Sequence, residues 1–329
     1  MLKGKRVVLV GPAFYSYPKI IQKEIERMGG QVHFYDERNN PNSLEKVALR
    51  KFPFLMRQKM KKYYHAIALK EKEFQPDYVL FISPESITRD IVCNLKSEFT
   101  KAEFILYMWD SIENKNARDV YDMFDKYISF DPHDCKKYGF AFRPLFFSWA
   151  YNTEPAVKND FQYDFGFIGT AHSDRAKILY FVQQYCKAHD KRWYYYIYTP
   201  GKLMLIANYI LDKYFRKLYA QGLVHTQSIE QDEVEKIMAG TRYVIDVNDP
   251  KQTGLTMRTI EMLGLRKKLL TTNAHIKEYD FYQPGNQLVL DRQHIQLDES
   301  LMNEPYQEID QKVYEKYRID QWVRDIFAD

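Results

Sequence analysis

Residues 242–273 read RYVIDVNDPKQTGLTMRTIEMLGLRKKLLTTN, and their pattern sets the expected fold. Tyr243–Val247 is a short apolar, β-branched run of the kind found in a parallel strand covered on both faces. Lys268–Thr272 is another. Between them the spacing predicts a helix opened by Gly254, with Leu255, Ile260, Leu263 and Leu265 available to face a sheet. Thr253, Thr256, Arg258 and Glu261 gather near its start. A helix N-terminus after a glycine loop offers unpaired backbone N–H groups and the positive end of a dipole, which suits phosphate. Arg258 adds a forked cation. Glu261, three residues on, adds an acceptor for hydroxyls. Phosphate and sugar hydroxyls together are what such a combination would recognise.

The chain on either side repeats this grammar. Arg6–Val10, Gln31–Tyr35, Tyr78–Ile82, Phe104–Met108 and Tyr127–Phe130 read as strands. Helical stretches alternate with them: Pro18–Met28, stopped at Gly29-Gly30, and a long charged region over Ser43–Lys72. Asn152–Gln162 is polar, contains Pro155, has no period and reads as a linker. Strands then resume at Phe165–Ile168 and Trp193–Tyr198, with helices at Asp174–Lys187 and Asp232–Met238. Tyr306–Phe327 is amphipathic and predicted helical. Alternation of this kind calls for parallel sheets with helices on both faces. The expected fold class is α/β, with two doubly wound, Rossmann-like domains facing a cleft. The expected division is residues 1–152, residues 163–305, and a C-terminal helix over 306–329 packing back on the first domain. In such sheets ligands sit at the carboxyl ends of the strands.

Composition narrows the chemistry. With 329 residues, 45% of them apolar, there is ample core for two domains. The 27 Tyr and 21 Phe fill half-buried positions of a large α/β protein or stack on sugars and bases. A formal charge of +4 is too small to mark a nucleic-acid binder. Cys93, Cys135 and Cys186 lie far apart with no CxxC pair, as in a reduced, cytoplasmic protein. MLKGKRVVLV enters a strand at once and does not read as a signal peptide. The eight histidines lack zinc-site spacing, and no P-loop, G-x-S-x-G elbow or G-x-G-x-x-G fingerprint occurs. No metal and no bound cofactor are expected. Two stretches mix basic and apolar residues: Lys51–Lys62 and Lys202–Lys217. Each is a solvated helix with one buried stripe or a helix lying on an anionic membrane surface.

Several strand ends carry candidate groups. Gly11, with Tyr15 close behind, follows the first strand; it makes a tight turn or helps place an acceptor. Trp109-Asp110-Ser111 ends the fourth strand, where Asp110 serves as a general base or as a helix N-cap. Asp131 is expected to cap the helix that carries Cys135. In Phe167–Arg175, Gly169 allows close backbone approach, while Thr170, His172 and Arg175 can reach phosphate oxygens or serve the turn itself. Asp246–Asp249 has no second acidic or histidine group at ligand spacing, which favours a loop-shaping role. Asp164-Phe165-Gly166 lacks every accompanying kinase element.

FIGTAHSDR, SIEQDEVEKIMAGTRYVIDVN and TGLTMRTIEMLGLRKKLLTTN together resemble bacterial glycosyltransferases of the GT-B fold. They are most similar to the CgeB-like and lipopolysaccharide or capsule biosynthesis branch, and LYMWDSI and FDKYISFDPHDCKKYGFAFRPLFF resemble it too. The resemblance implies a nucleotide-diphosphate sugar bound by the second half and a glycan or lipid-linked glycan acceptor bound by the first, without a metal. It implies Glu261 on the ribose hydroxyls, and Gly254, Leu255, Thr256 and Arg258 around the diphosphate. Gly169 and Thr170 would approach the donor from the opposing loop, and Gly11, Tyr15 and Trp109 would stand on the acceptor side. Retaining relatives carry a paired E-x7-E motif; counting back from Glu261 reaches Thr253, which favours an inverting displacement with Asp110 as base. The expected setting is the cytoplasm, at the inner face of the plasma membrane. A non-catalytic nucleotide-binding partner and a nucleotide-sugar epimerase are the alternatives.

Overall fold

The computed structural model describes residues 2–13, 16–39, 53–112, 116–153, 161–297 and 299–328. The chain divides into two compact units, residues 1–145 with 319–329, and residues 146–318.

Unit 1 is built on six parallel strands: β1 (Arg6–Gly11), β2 (Gln31–Asp36), β3 (Tyr78–Ile82), β4 (Glu103–Met108), β5 (Lys126–Ser129) and β6 (Ala141–Phe142). Their order is β2-β1-β3-β4-β5-β6. Val7–Val10, Val79–Ile82 and Phe104–Met108 are almost completely buried, because helices cover both faces and an alternating pattern would place polar groups in the core. The crossovers include α1 (Tyr17–Arg27), α2 (Pro53–Lys70), α3 (Arg89–Glu98) and α4 (Pro132–Tyr138). Gly29 ends α1 at φ +88°, a left-handed conformation that only glycine adopts readily. Asp131 caps α4, accepting from the His133 amide at 2.8 Å. The long helix expected over 43–72 is described only as Pro53–Lys70; its first part lies outside the described residues, as does most of the expected linker.

Unit 2 carries β7 (Tyr163–Thr170), β8 (Trp193–Tyr198), β9 (Val224–His225), β10 (Thr241–Asp246), β11 (Lys268–Thr271) and β12 (Gln287–Val289). All are parallel, in the order β12-β11-β10-β7-β8-β9. Helices α5 (Arg175–Ala188), α6 (Lys202–Leu211), α7 (Lys213–Tyr219), α8 (Gln231–Ala239) and α9 (Met257–Gly264) surround them. Phe165, Phe167, Ile178, Leu179, Val182, Ile245 and Leu270 form part of one core. Gly166, the last residue of the kinase-like tripeptide, is there for packing: a Cβ would stand 2.7 Å from the Thr241 hydroxyl.

The structure revises three expected elements. The 202–217 helix is two helices, because Asp212 breaks it and its carboxylate caps α7 by accepting from the Tyr214 and Phe215 amides. The C-terminal helix is α11 (Gln311–Lys316) followed by α12 (Ile319–Ile326), after the short α10 (Glu299–Asn303). The helix expected to open at Gly254 begins at Met257, with Thr256 as its N-cap.

Candidate functional site

In unit 2 the strand order reverses between β7 and β10, whose residues pair from Thr241↔Tyr163 to Val244↔Gly166. The connections leaving these two strands run in opposite directions, the arrangement that in doubly wound sheets brackets a ligand site at the strands' carboxyl ends. Two loops far apart in sequence therefore meet there: 169–175 after β7 and 246–256 after β10. Arg175 joins them. Its Nε donates to the Val247 carbonyl at 2.8 Å, and its Nη1 to the Thr170 carbonyl at 2.9 Å and the Thr170 hydroxyl at 3.3 Å. Gly169 makes room for this: a Cβ would lie 2.9 Å from the Phe167 ring and 3.5 Å from the Arg175 guanidinium. Arg175 thus holds the turn in this state. His172 is exposed along one edge, yet partial loss of water around the ring and the adjacent Arg175 charge push it down to about 4. It therefore stands at this edge as a neutral ring at pH 7.

The loop after β10 is shaped by polar side chains. Asp246 Oδ2 accepts from the Thr256 hydroxyl at 2.8 Å and the Thr259 hydroxyl at 2.7 Å, and Thr256 caps α9 by accepting from the Thr259 amide at 3.2 Å. Asn273 donates to the carbonyls of Thr253 and Gly254 at 3.1 and 3.2 Å. Asn248 Oδ1 accepts from the Thr272 hydroxyl at 2.8 Å and from Arg292 at 2.5 Å, and Arg292 also pairs with Asp174. Gly254 and Leu255 are consequently buried, while Thr253, Thr256 and Arg258 are half-buried. Asn248 lies in the 246–249 segment expected to shape the loop and does so; Thr259, Asn273 and Arg292 were not singled out. The available signal was short polar residues directly after apolar strands; Arg292 offered none.

On α9, Arg258 Nη1 lies 2.9 Å from Glu261 Oε2. The arginine side chain is 21% exposed and the glutamate 4%, so the arginine is the less covered member of the pair. Tyr151 lies close to both. Burial raises its phenol strongly, with the Glu261 charge acting the same way and Arg258 against it. The Tyr151 hydroxyl accepts from Gln231 at the start of α8 at 2.8 Å. Gly264 lets the chain pass close over α9: a Cβ there would meet the Phe147 ring at 2.6 Å and the Tyr151 carbonyl at 2.8 Å.

In unit 1 the order reverses between β1 and β3. Gly11 ends β1 and is buried, and a Cβ there would stand 3.2 Å from the Ile82 Cβ, a tight contact between neighbouring strands. Trp109 and Asp110 follow β4, half-buried, and their amides both point at the Ser83 hydroxyl, at 2.7 and 3.3 Å. The Trp109 ring meets Tyr17 edge-on, with centroids 6.3 Å apart. Tyr15 lies outside the described residues. One buried group here escaped the sequence reading. Glu37, directly after β2, is fully buried and accepts from the Glu85 and Ser86 amides at 3.2 Å each and from the Ser86 hydroxyl at 2.8 Å. Burial raises its carboxyl to about 7.

Among the described residues no group of three or more His, Cys, Asp or Glu side chains converges on a point where a metal would sit. Asp164, Tyr185, His189, Arg242 and Glu299 help to line a cavity of about 200 Å³ in unit 2. Asp164 and Arg242 stand at the amino ends of β7 and β10, so this cavity is at the opposite edge of the sheet from the switch point.

No family model and no curated protein sequence matches the chain. Solved structures match it in fold. The apo form of the lipopolysaccharide outer core galactosyltransferase WaaB superposes with a TM-score of 0.51 at 12% identity, over 98% of this chain and 99% of that one. Apo OtsA gives 0.61 at 12%, over 99% and 100%. Anabaena HepE in complex with UDP and glucose gives 0.52 at 12%, over 87% and 85%. A Methanocaldococcus jannaschii UDP-GlcNAc 2-epimerase, in complex with UDP-GlcNAc and UDP, gives 0.52 at 11%, over 99% and 100%. At such identities the likeness is one of fold: a two-domain α/β architecture shared with GT-B glycosyltransferases.

Proposed function

We propose that the chain is a glycosyltransferase that takes a sugar from a nucleotide-diphosphate donor and places it on a hydroxyl of a cell-surface glycan precursor. The observation that carries this reading is the switch point of unit 2. There the loops after β7 and β10 meet at one strand edge, and α9 begins beside the second of them with the Arg258–Glu261 pair. The structures of HepE with UDP and glucose and of WaaB, a galactosyltransferase, support it by likeness of fold.

In this reading the α9 amides and Arg258 face the diphosphate, while Glu261 holds Arg258 until the nucleotide arrives and then accepts from the ribose hydroxyls. Gly169, Thr170 and His172 border the donor; His172, uncharged, donates or accepts a hydrogen bond and brings no charge. As the acceptor oxygen bonds to the anomeric carbon, the bond to the β-phosphate oxygen breaks. Arg258 and the helix amides stabilise the charge that develops on the departing diphosphate. Asp110 takes the acceptor proton, in an inverting displacement. No metal is assigned a part, and the reaction takes place in the cytoplasm.

Calorimetric titration with nucleoside diphosphates tests the donor site. Arg258→Ala is expected to weaken binding by roughly 10- to 100-fold, the worth of one charge-assisted hydrogen bond. A circular dichroism spectrum like that of the wild type would keep the comparison valid. Unchanged affinity would remove Arg258 from the site. Turnover of a donor with no acceptor into an isomerised nucleotide sugar would instead favour an epimerase. Binding with no turnover, in wild type and Asp110→Asn alike, would favour a non-catalytic partner.

A further inference from the structure

Helix α6, LysLeuMetLeuIleAlaAsnTyrIleLeu over 202–211, is apolar at most of its positions and yet lies on the surface. Leu203, Ile206, Ala207, Ile210 and Leu211 recur at i, i+3, i+4, i+7 and i+8, which places them on one face. That face is turned to solvent: Leu203 is 86% exposed, Leu211 84% and Ile210 65%, and no residue of the helix is buried. The helix is nevertheless held in place. Arg216 of α7 donates to the carbonyls of Tyr209 and Ile210 at 2.9 and 2.8 Å, and α7 anchors itself in the core through Phe215 and Leu218. A contiguous apolar surface of this kind on a fixed element marks an interaction site.

Its surroundings indicate the partner. Residues 202–219 contain Lys202, Lys213, Arg216 and Lys217 against the single acid Asp212, a net charge of +3. Tyr209 and Tyr219 are exposed and meet edge-on, with centroids 5.5 Å apart. Exposed apolar residues on one helix, with cations and exposed tyrosines on that helix and the next, are the combination an anionic membrane surface takes up. At about 1.5 Å per residue the helix is roughly 15 Å long, half a hydrocarbon core. No helix among the described residues is long and apolar enough to cross a membrane. We propose that the exposed face of α6, rimmed by Lys202, Lys213 and Lys217, inserts into the headgroup region of an anionic bilayer and holds the protein on its surface. The inference stands on this helix and does not depend on the sugar-transfer reading.

The test is co-sedimentation of the full chain with phosphatidylcholine vesicles with and without about 30% phosphatidylglycerol. The wild type is expected to pellet with the anionic vesicles, less so as salt screens the lysines. Leu203→Ser with Ile210→Ser is expected to lower the partition coefficient by tenfold or more, with circular dichroism unchanged. A second variant, Lys213→Glu with Lys217→Glu, leaves the apolar face intact and is expected to lose binding to anionic vesicles. Failure of the wild type to pellet would overturn the proposal, as would pelleting of both variants at the wild-type level. A dimer detected by light scattering, abolished by the serine pair in a protein that ignores vesicles, would identify a second copy of this chain as the occupant instead.

Discussion

Glu37 shows how a single residue can set a pH dependence that its sequence neighbourhood does not announce. Its carboxyl is raised to about 7 in the folded chain, from an ordinary value of 4.5. Below the ordinary value it is protonated whether the chain is folded or not. As pH rises from there towards 7, the unfolded chain ionises first, so folded-state stability is lost across that window. At 1.36 kcal/mol per pH unit the loss is on the order of 3 kcal/mol. Glu37→Gln keeps an oxygen for the Glu85 and Ser86 amides and cannot ionise. Urea denaturation at pH 5 and pH 8 should show the glutamine variant gaining about 1–3 kcal/mol on the wild type across that range. Parallel pH dependence of the two would refute the assignment. Arg258 and Glu261 are the contrasting case. Their spacing made them neighbours on a helix, and they are paired at 2.9 Å; only the folded chain shows that the glutamate is the covered member.

At the scale of elements, α9 was recognisable from its apolar period, but its start was not. A glycine loop signalled the opening, whereas the hydroxyl of Thr256, held by Asp246 at the end of β10, moved the N-cap two residues on. That choice depends on a carboxylate ten residues earlier and so on the strand having formed. The other end of α9 carries a second tertiary constraint. Gly264 sits inside the last turn, where alanine is ordinarily better by about 1 kcal/mol. Here the ideal Cβ would lie 2.6 Å from the Phe147 ring. Gly264→Ala is therefore expected to cost about 1–3 kcal/mol through overpacking, net of its helix preference. Chemical denaturation would check this, and a variant as stable as the wild type would show that the 147–151 segment yields freely.

At the scale of the whole molecule, the chain finishes in the unit where it began. Residues 319–329 belong to unit 1 although 146–318 form unit 2. Trp322 is fully buried, its ring 4.8 Å from that of Tyr107. Lys126 donates to the carbonyls of Asp325, Ile326 and Ala328, and Arg143 pairs with Asp325 at 2.7 Å. Trp322→Ala is expected to cost about 3–5 kcal/mol, and the loss should fall on unit 1. Hydrogen exchange would register it as faster exchange in β3, β4 and β5 with β7, β10 and β11 unchanged. Equal acceleration in both sheets would contradict the division.

Alternating apolar runs and glycine stops, each a local matter of burial and backbone freedom, were enough by themselves to determine that this protein is a pair of parallel α/β sheets. The strand ends bearing Gly169, Asp246 and Asp110 could be picked out for the same reason. What no local pattern contains is strand order. Residues 169–175 and 246–256 lie some seventy positions apart, and only the placement of β10 beside β7 brings Arg175 to the Val247 carbonyl and draws Arg292 to Asn248. Tertiary packing likewise decided that Glu261 and Glu37 are covered while Leu203 and Leu211 face water. Exposure is a property of what the rest of the chain leaves uncovered, and a residue's own neighbours in sequence do not encode it.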